Sequence, residues 1–443
     1  MLIKLIYLGL AAAMFYFTQG AISAGGFGFM YRYLFGMAIV ALAMAAMLFH
    51  PRMRRLKTLG KGVLVLSASY AVTVLWSALI WIKELAPLKT MTRGFFFPFY
   101  QVIGIFAAAA TLYLFGKNGI WYCLLGMCLG NGIIVLLVVA KGGVGPFIEE
   151  LILLLTTFGE ITGAMMHETE VHDLTFAFGP FAVLLALYPE PKKKGWWLAC
   201  AVVGFFLLVG LKRIEIGAIG IAVALCFLLK KMQSETARRV ANLICVFVLL
   251  ASFVYIIAIH GGLFDYLETM GMDTKGRDML YRYVALKYEI SPAFMGRGLG
   301  FSSEPWDLTG LIGSEWKGVH QDAYHNEFVR MYVEVGFFGY IAWFIFYLPV
   351  RVNYLWKHGG QRAGVLALCY SIYCMITYAT DNTLYYYYTN LATFILMLYE
   401  LLREEPEGDD YELESGEGES LGEEHADLSD PARWQGKTAV ETQ

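Results

Sequence analysis

Charge is scarce in this chain. Only 16% of its 443 residues are Asp, Glu, Lys or Arg, while 58% are hydrophobic. Soluble domains carry roughly a quarter charged residues, so this balance excludes a soluble globular protein. It also excludes collagen-like, coiled-coil and wholly disordered chains. The net charge of -3 comes with no dense basic stripe, which excludes nucleic acid as a partner. Cysteine is thin as well. All seven cysteines lie inside apolar runs, so there is no disulfide framework and no zinc-type CxxC pair. Aromatic residues, by contrast, are abundant at 16%, which suits interfacial belts and apolar-lined cavities of a membrane protein.

The small net charge hides an asymmetry. From Glu404 onward there are 14 acidic residues against 2 basic ones, and the preceding 403 residues carry 32 basic against 23 acidic. Two domains are expected: a transmembrane body over 1–402 and an acidic, disordered, cytoplasmic tail over 403–443.

A transmembrane helix needs about 20 apolar residues. On that basis the body is an all-α polytopic integral membrane protein with about twelve transmembrane helices. They fall near 2–20, 29–49, 62–82, 94–115, 119–140, 173–189, 195–211, 214–230, 239–260, 327–350, 363–380 and 383–402. The first is read as a retained helix rather than a cleaved signal. Arg52, Arg54, Arg55, Lys57 and Lys61 cluster in one connection, Lys192 to Lys194 in another, Lys230, Lys231, Arg238 and Arg239 in a third, and Arg351, Lys357 and Arg362 in a fourth. All four are even-numbered connections, so the positive-inside rule makes that side, and both termini, cytoplasmic. The largest exterior loop, about 261–326, joins spans nine and ten. It is expected to hold a helix from Arg277 to Ile290, stopped by Pro292.

Three places carry candidate chemistry. The apolar run from Gly195 to Leu229 is broken only at 210–217, which holds Lys212, Arg213 and Glu215 at the outer bilayer boundary. Charges at that depth tend to face a polar cavity; the bland alternative is a snorkelling anchor paired with Glu215. Arg277 and Arg282 open the exterior-loop helix, where backbone N–H groups favour anions. Arg297-Gly298-Leu299-Gly300 marks a turn, and Asp322, His325 and Asn326 stand at the mouth of span ten. A histidine there can take a proton near neutral pH, although an interfacial polar cap is the commoner role for such a residue.

Taken together, these features resemble the O-antigen ligase and O-antigen polymerase superfamily. The resemblance rests on Gly276-Arg277 with Tyr281 four residues on, then Gly298-Leu299-Gly300, then His325-Asn326 leading to Glu334-Val335-Gly336-Phe337-Phe338-Gly339. Arg213 stands where the family has a Ser-Arg, with Lys212 in place of the serine and Glu215 where small or apolar residues are usual. The match covers about 205–345. It implies a metal-independent, inverting glycosyltransferase of the bacterial cytoplasmic membrane, with its active site facing the periplasm or exterior. The implied donor is an undecaprenyl-diphosphate-linked oligosaccharide. The acceptor is a sugar hydroxyl on a second lipid-linked glycan (polymerase) or a glycolipid (ligase). Arg213 and Arg277 would hold the diphosphate and His325 would act as base, with Asp322 or Asn326 orienting it. Lys212, Arg282 and Arg297 complete the substrate-binding set. No cofactor is implied. The acidic tail is a candidate contact for other polysaccharide-assembly proteins.

Other readings remain in play. A lipid-linked oligosaccharide flippase or other multi-span transporter explains the spans equally well, but not the basic exterior loop, and an assembly or sensor protein would work through its acidic tail. His167 and His172 are five residues apart, as are His320 and His325, which does not fit a helical H-E-x-x-H zinc pair. No metal site is expected. The first exterior loop, about 21–28, lacks the acidic residues of many polyprenyl-phosphate sugar transferases.

Overall fold

Apolar backbone can enter a bilayer only if its N–H and C=O groups bond internally, which long apolar runs achieve as helices. The computed structural model describes residues 1–17, 28–159, 161, 163, 175–189, 194–274, 276–303 and 324–403, and among these it contains helices and no strands. In chain order they are α1 (Leu2–Tyr16), α2 (Gly28–Phe49), α3 (Met53–Glu84), α4 (Leu88–Phe115), α5 (Gly119–Gly142), α6 (Val144–Thr156), α7 (Gly179–Leu187), α8 (Lys194–Gly210), α9 (Arg213–Lys230), α10 (Ser234–His260), α11 (Leu263–Thr269), α12 (Arg277–Ala285), α13 (Glu327–Tyr347), α14 (Pro349–Tyr378) and α15 (Tyr387–Arg403).

Five apolar stretches are long enough to cross a membrane: Met30–Phe49, Met53–Glu84, Leu88–Gly142, Ser234–His260 and Glu327–Tyr378. The 55-residue stretch joins α4 to α5 through a short turn at Gly116–Asn118, and the 52-residue stretch joins α13 to α14 at Leu348. Leu2–Tyr16, Thr175–Leu187 and Gly195–Gly210 are shorter apolar helices. In the body of the protein α15 lies against α4 and α14, α13 against α3, and α9 against α14.

Three expectations change. The helix expected over 277–290, α12, ends at Ala285, not Ile290, because the Leu286 and Lys287 N–H groups turn back to the Tyr283 and Val284 carbonyls at 3.2 and 2.9 Å. The connection expected around Arg351 is helical from Pro349 onward, with a kink at Gly360. Arg351 itself is no loop cation. It is wholly buried, donates to Leu66 O and Ser69 Oγ at 2.7 Å each, and lies 4.2 Å from the Tyr347 ring centroid. Such partners satisfy a guanidinium that lipid would not. Finally, Glu215, expected with Lys212 and Arg213 at the bilayer boundary, is drawn into the protein interior. It is buried and accepts from Thr175 Oγ1 at 2.5 Å and Tyr373 OH at 3.3 Å.

The two glycine motifs form a single structural unit. Gly336 breaks α13 with φ 66° and ψ -170°. The break exposes backbone groups that the 294–298 segment then pairs with. Arg297 N–H reaches Val333 O at 2.9 Å, Gly298 N–H reaches Glu334 O at 2.7 Å, and Phe337 N–H reaches Phe294 O at 2.9 Å. The buried Glu334 carboxylate accepts from Gly300 N, Ser302 N and Ser302 Oγ at 3.1, 3.3 and 2.5 Å. Non-helical backbone is stable inside a membrane protein only when it is paired in this way. A Cβ on Gly336 would overlap the Met295 backbone, in addition to the left-handed φ. Gly336→Ala is therefore expected to destabilise the protein by at least about 1–3 kcal/mol, read as a lower unfolding temperature in detergent.

Candidate active site

Helix ends and tight turns place polar groups at the edge of the apolar body. Four such segments converge: the turn before α9, the helix α12, the entry to α13, and the 379–386 connection between α14 and α15. Lys212 caps α9 and donates to Asp381 Oδ2 at 3.3 Å, with its ammonium 5.4 Å from the Phe176 ring centroid. Asp381 is only 13% exposed at its side chain. Burial alone would raise its carboxyl. Lys212, the Asn382 backbone N–H and His325 outweigh that and hold it below the usual carboxylate range. Asp381 thus stays ionised throughout the neutral range.

His325 is exposed, with φ 48°, a left-handed conformation that few non-glycine residues adopt. Two contacts fix its backbone. Its N–H donates to Asn382 Oδ1 at 3.0 Å, and its carbonyl accepts from Tyr281 OH at 3.4 Å. The Asn382 Nδ2 lies 3.4 Å from His325 Nδ1. Because Asn382 Oδ1 is already an acceptor, Nδ2 is the donor in that contact.

Arg277 begins α12 within electrostatic reach of Tyr255 and Tyr281. These tyrosines donate to Ala379 O at 3.0 Å and His325 O at 3.4 Å, so they tie α12 and α10 to the Asp381 turn and to His325. Asn326 is buried and its Oδ1 accepts from Val329 N at 3.1 Å, as a cap on α13. The residue that contacts the imidazole is Asn382, not Asn326.

The structure therefore brings Lys212 to Asp381 and His325 to Asn382, with Asn326 next to His325 in the chain and Arg277 beside Tyr255 and Tyr281. Other predicted residues have other contacts. Arg213 is exposed and its Nε donates to Phe158 O at 2.9 Å. Arg282 is paired with Asp265 at 2.6 Å, between α12 and α11. Arg297 donates to Lys287 O at 3.1 Å. Asp322, His320, His167 and His172 lie outside the described residues. Among the described residues no group of three His, Cys, Asp or Glu is arranged to hold a metal ion.

Sequence reasoning missed Asp381 and Asn382. A signal was present, because Asp381 is the only charged residue between Arg362 and Glu400. An isolated charge in such a run marks a functional or paired site. Also missed was Glu327, wholly buried with no hydrogen-bond partner on either oxygen and with Arg330 4.0 Å away.

Residues 180–344 match the family described as O-Antigen ligase. The match begins in α7 and ends in α13, and it covers Lys212, Arg213, Arg277 and His325 but not Asp381. No curated protein sequence matches the chain.

Proposed function

We propose that this chain, a member of the O-antigen ligase and polymerase superfamily of envelope glycan biosynthesis, transfers a glycan from undecaprenyl diphosphate to a sugar hydroxyl. The transfer takes place on the outer face of the bacterial inner membrane. The observation that supports the reading best is the meeting of the exposed His325 with Asn382 and the Lys212–Asp381 pair, beside the helix that Arg277 begins. The twelve-span topology with both termini cytoplasmic belongs to the same proposal. It puts α11, α12 and His325 outside.

The chemistry follows from the groups present. The acceptor hydroxyl displaces the weak Asn382 contact and gives its proton to His325 Nδ1. Its oxygen forms a bond to the anomeric carbon as the bond to the diphosphate oxygen breaks. The electron pair leaves with undecaprenyl diphosphate. Arg277 stabilises that charge, with Arg213, itself bonded to Phe158 O, adding its positive charge. Asp381 stabilises the imidazolium as it forms. Attack opposite the leaving group inverts the anomeric centre. Arg282 and Arg297, held by protein partners, shape the loop instead of touching the diphosphate. Lys212 sets the position of Asp381.

Two experiments test this reading directly. Purified protein given a lipid-linked donor and a glycan acceptor should form product in the presence of EDTA; activity that vanishes with EDTA and returns with a divalent ion would reassign the charge stabilisation to a metal. For topology, a single cysteine replacing Glu268 should react with an impermeant thiol reagent on intact cells, whereas one replacing Ser234 should not. Labelling of the Ser234 position alone would invert the arrangement and place the site in the cytoplasm.

The transporter reading predicts no need for a base at the mouth of α13. His325→Ala would then have no effect, and inactivating changes elsewhere would leave the donor trapped on the inner face rather than accumulated, unreacted, on the outer one.

A further inference from the structure

Asp381 is held by more than Lys212. The ammonium of Lys212 reaches Oδ2 at 3.3 Å, and the Asn382 N–H donates to Oδ1 at 2.8 Å. A further donor is the hydroxyl of Tyr386, which reaches Oδ1 at 3.3 Å from five residues along the chain. Tyr386 belongs to a run of four tyrosines, 385–388. Tyr385 and Tyr387 turn their hydroxyls to the sulfur atoms of Met331 and Met14 at 4.0 and 3.7 Å, whereas Tyr386 turns its hydroxyl to a carboxylate. The backbone of Tyr386 is fixed at the entry to α15, where its carbonyl accepts from the N–H and the Nδ2 of the buried Asn390, both at 3.1 Å. Its ring lies 6.0 Å from that of Phe176 and 5.4 Å from that of Tyr388, both buried. Tyr386 itself is half-buried, at the edge of this packing.

The three donors do different things to the carboxylate. A lysine ammonium is a compact point charge on a flexible stem, so Lys212 attracts Asp381 without fixing its plane. Left to that attraction, the carboxylate would follow the ammonium. The Asn382 N–H belongs to the same turn as Asp381 and moves with it. Tyr386 pulls on the other oxygen from the start of α15, a helix that lies against α4 and α14. Asp381 and His325 are within electrostatic reach of each other. A charged group lowers a barrier most when its position is set before the opposing charge develops.

We propose that Tyr386 is a positioning residue for the transfer: its hydroxyl holds the Asp381 carboxylate in the orientation that stabilises the imidazolium forming on His325. The role rests on the transferase reading above. Because the hydroxyl is neutral, its removal leaves the charge of the site, and with it the attraction for a diphosphate, unchanged. Tyr386 differs in this from Asp381, whose replacement by Asn alters both charge and turnover.

The test uses the purified full-length protein in detergent, with an undecaprenyl-diphosphate-linked glycan and a glycan acceptor as substrates. Tyr386→Phe keeps the ring against Phe176 and Tyr388 and removes only the hydroxyl. It should lower kcat by about 10-fold, near the lower end for a hydrogen bond to a charged group, with the KM for both substrates close to wild type. A double-mutant cycle then asks whether Tyr386 acts through Asp381. Once Asp381→Asn has removed the charge, the hydroxyl has no charge left to position. Asp381→Asn combined with Tyr386→Phe should therefore turn over no more slowly than Asp381→Asn alone. Wild-type kcat in Tyr386→Phe, as expected for a ring that only packs, overturns the role. So do losses that multiply in the double variant, as expected for a fold defect or for an action elsewhere in the site. Either result, in a protein that transfers glycan and loses turnover in His325→Ala, removes Tyr386 and keeps the transferase. Wild-type protein that transfers no glycan removes the transferase reading and this role with it.

Discussion

Replacing His325 with Ala is expected to lower turnover by at least about 100-fold, the lower end of what a positioned base contributes, while donor affinity changes little. A sugar hydroxyl is a poor nucleophile, and the exposed imidazole of His325 is the group proposed to accept its proton. His325→Gln separates catalysis from structure. If His325 served only as a polar cap at the membrane surface, Gln would preserve hydrogen bonding and be nearly silent. A Gln variant that retained more than about a tenth of wild-type turnover would remove His325 from the chemistry. Its φ of 48° adds a structural check. An Asn variant tolerates the left-handed backbone better than Ala does, so His325→Asn should keep the fold and still lose activity.

The second large effect is expected at Asp381. Asp381→Asn removes the anion facing both Lys212 and the imidazole. Turnover should fall by about 100-fold, comparable to the loss of one preorganised electrostatic group. Donor KM should not rise with it, because Lys212 loses its counter-ion and the site becomes more positive toward a diphosphate. That split between kcat and KM is what a merely structural carboxylate would not produce. The sign of the pH dependence is also fixed. Asp381 has its carboxyl held below the usual range, so it is charged above that range and its contribution is lost only as pH falls through the lowered value. Any loss of activity between pH 5 and 7 must therefore come from another group. Asp381→Asn should leave the position of that acid limb in the kcat/KM profile as the group responsible dictates, rather than abolish the limb.

The sequence made some of this legible and hid the rest, for identifiable reasons. The boundary between α8 and α9 was readable to within a residue, because Lys212 and Arg213 interrupt an otherwise apolar run. The start of α12 at Arg277 was readable from the helical spacing of Leu280, Val284 and Lys287, and that of α13 at Glu327 from the apolar run that follows it. Local rules of this kind do not reveal partners distant in sequence. Arg351 looked like a loop cation because its stabilising groups come from α3, 285 residues away at Leu66. Asn382 looked like part of a gap between spans, yet it contacts His325 across 57 residues. The glycine motifs were read as turns near a site. The structure makes them the seam that pins the 294–300 segment to the broken helix α13, with Trp76 and Trp81 donating to the Met295 and Leu299 carbonyls from α3 at 3.1 and 3.2 Å. Arg282 and Arg297 were grouped with Arg277 because all three are arginines in one loop, and only their partners distinguish them. The acidic tail, 403–443, lies almost wholly outside the described residues. If it is the cytoplasmic appendage proposed from its composition, its removal should leave transfer intact.

The most direct measurement is reconstitution of the full-length protein into vesicles carrying a labelled undecaprenyl-diphosphate-linked glycan, with a glycan acceptor supplied on the side that α11 and α12 face. The account predicts that label leaves the lipid, appears on the acceptor through a new glycosidic bond of inverted configuration, and is matched by released undecaprenyl diphosphate, all of it lost in His325→Ala. Label that crosses the bilayer still attached to its lipid, with no acceptor product and no effect of His325→Ala, would contradict it and leave a transporter in its place.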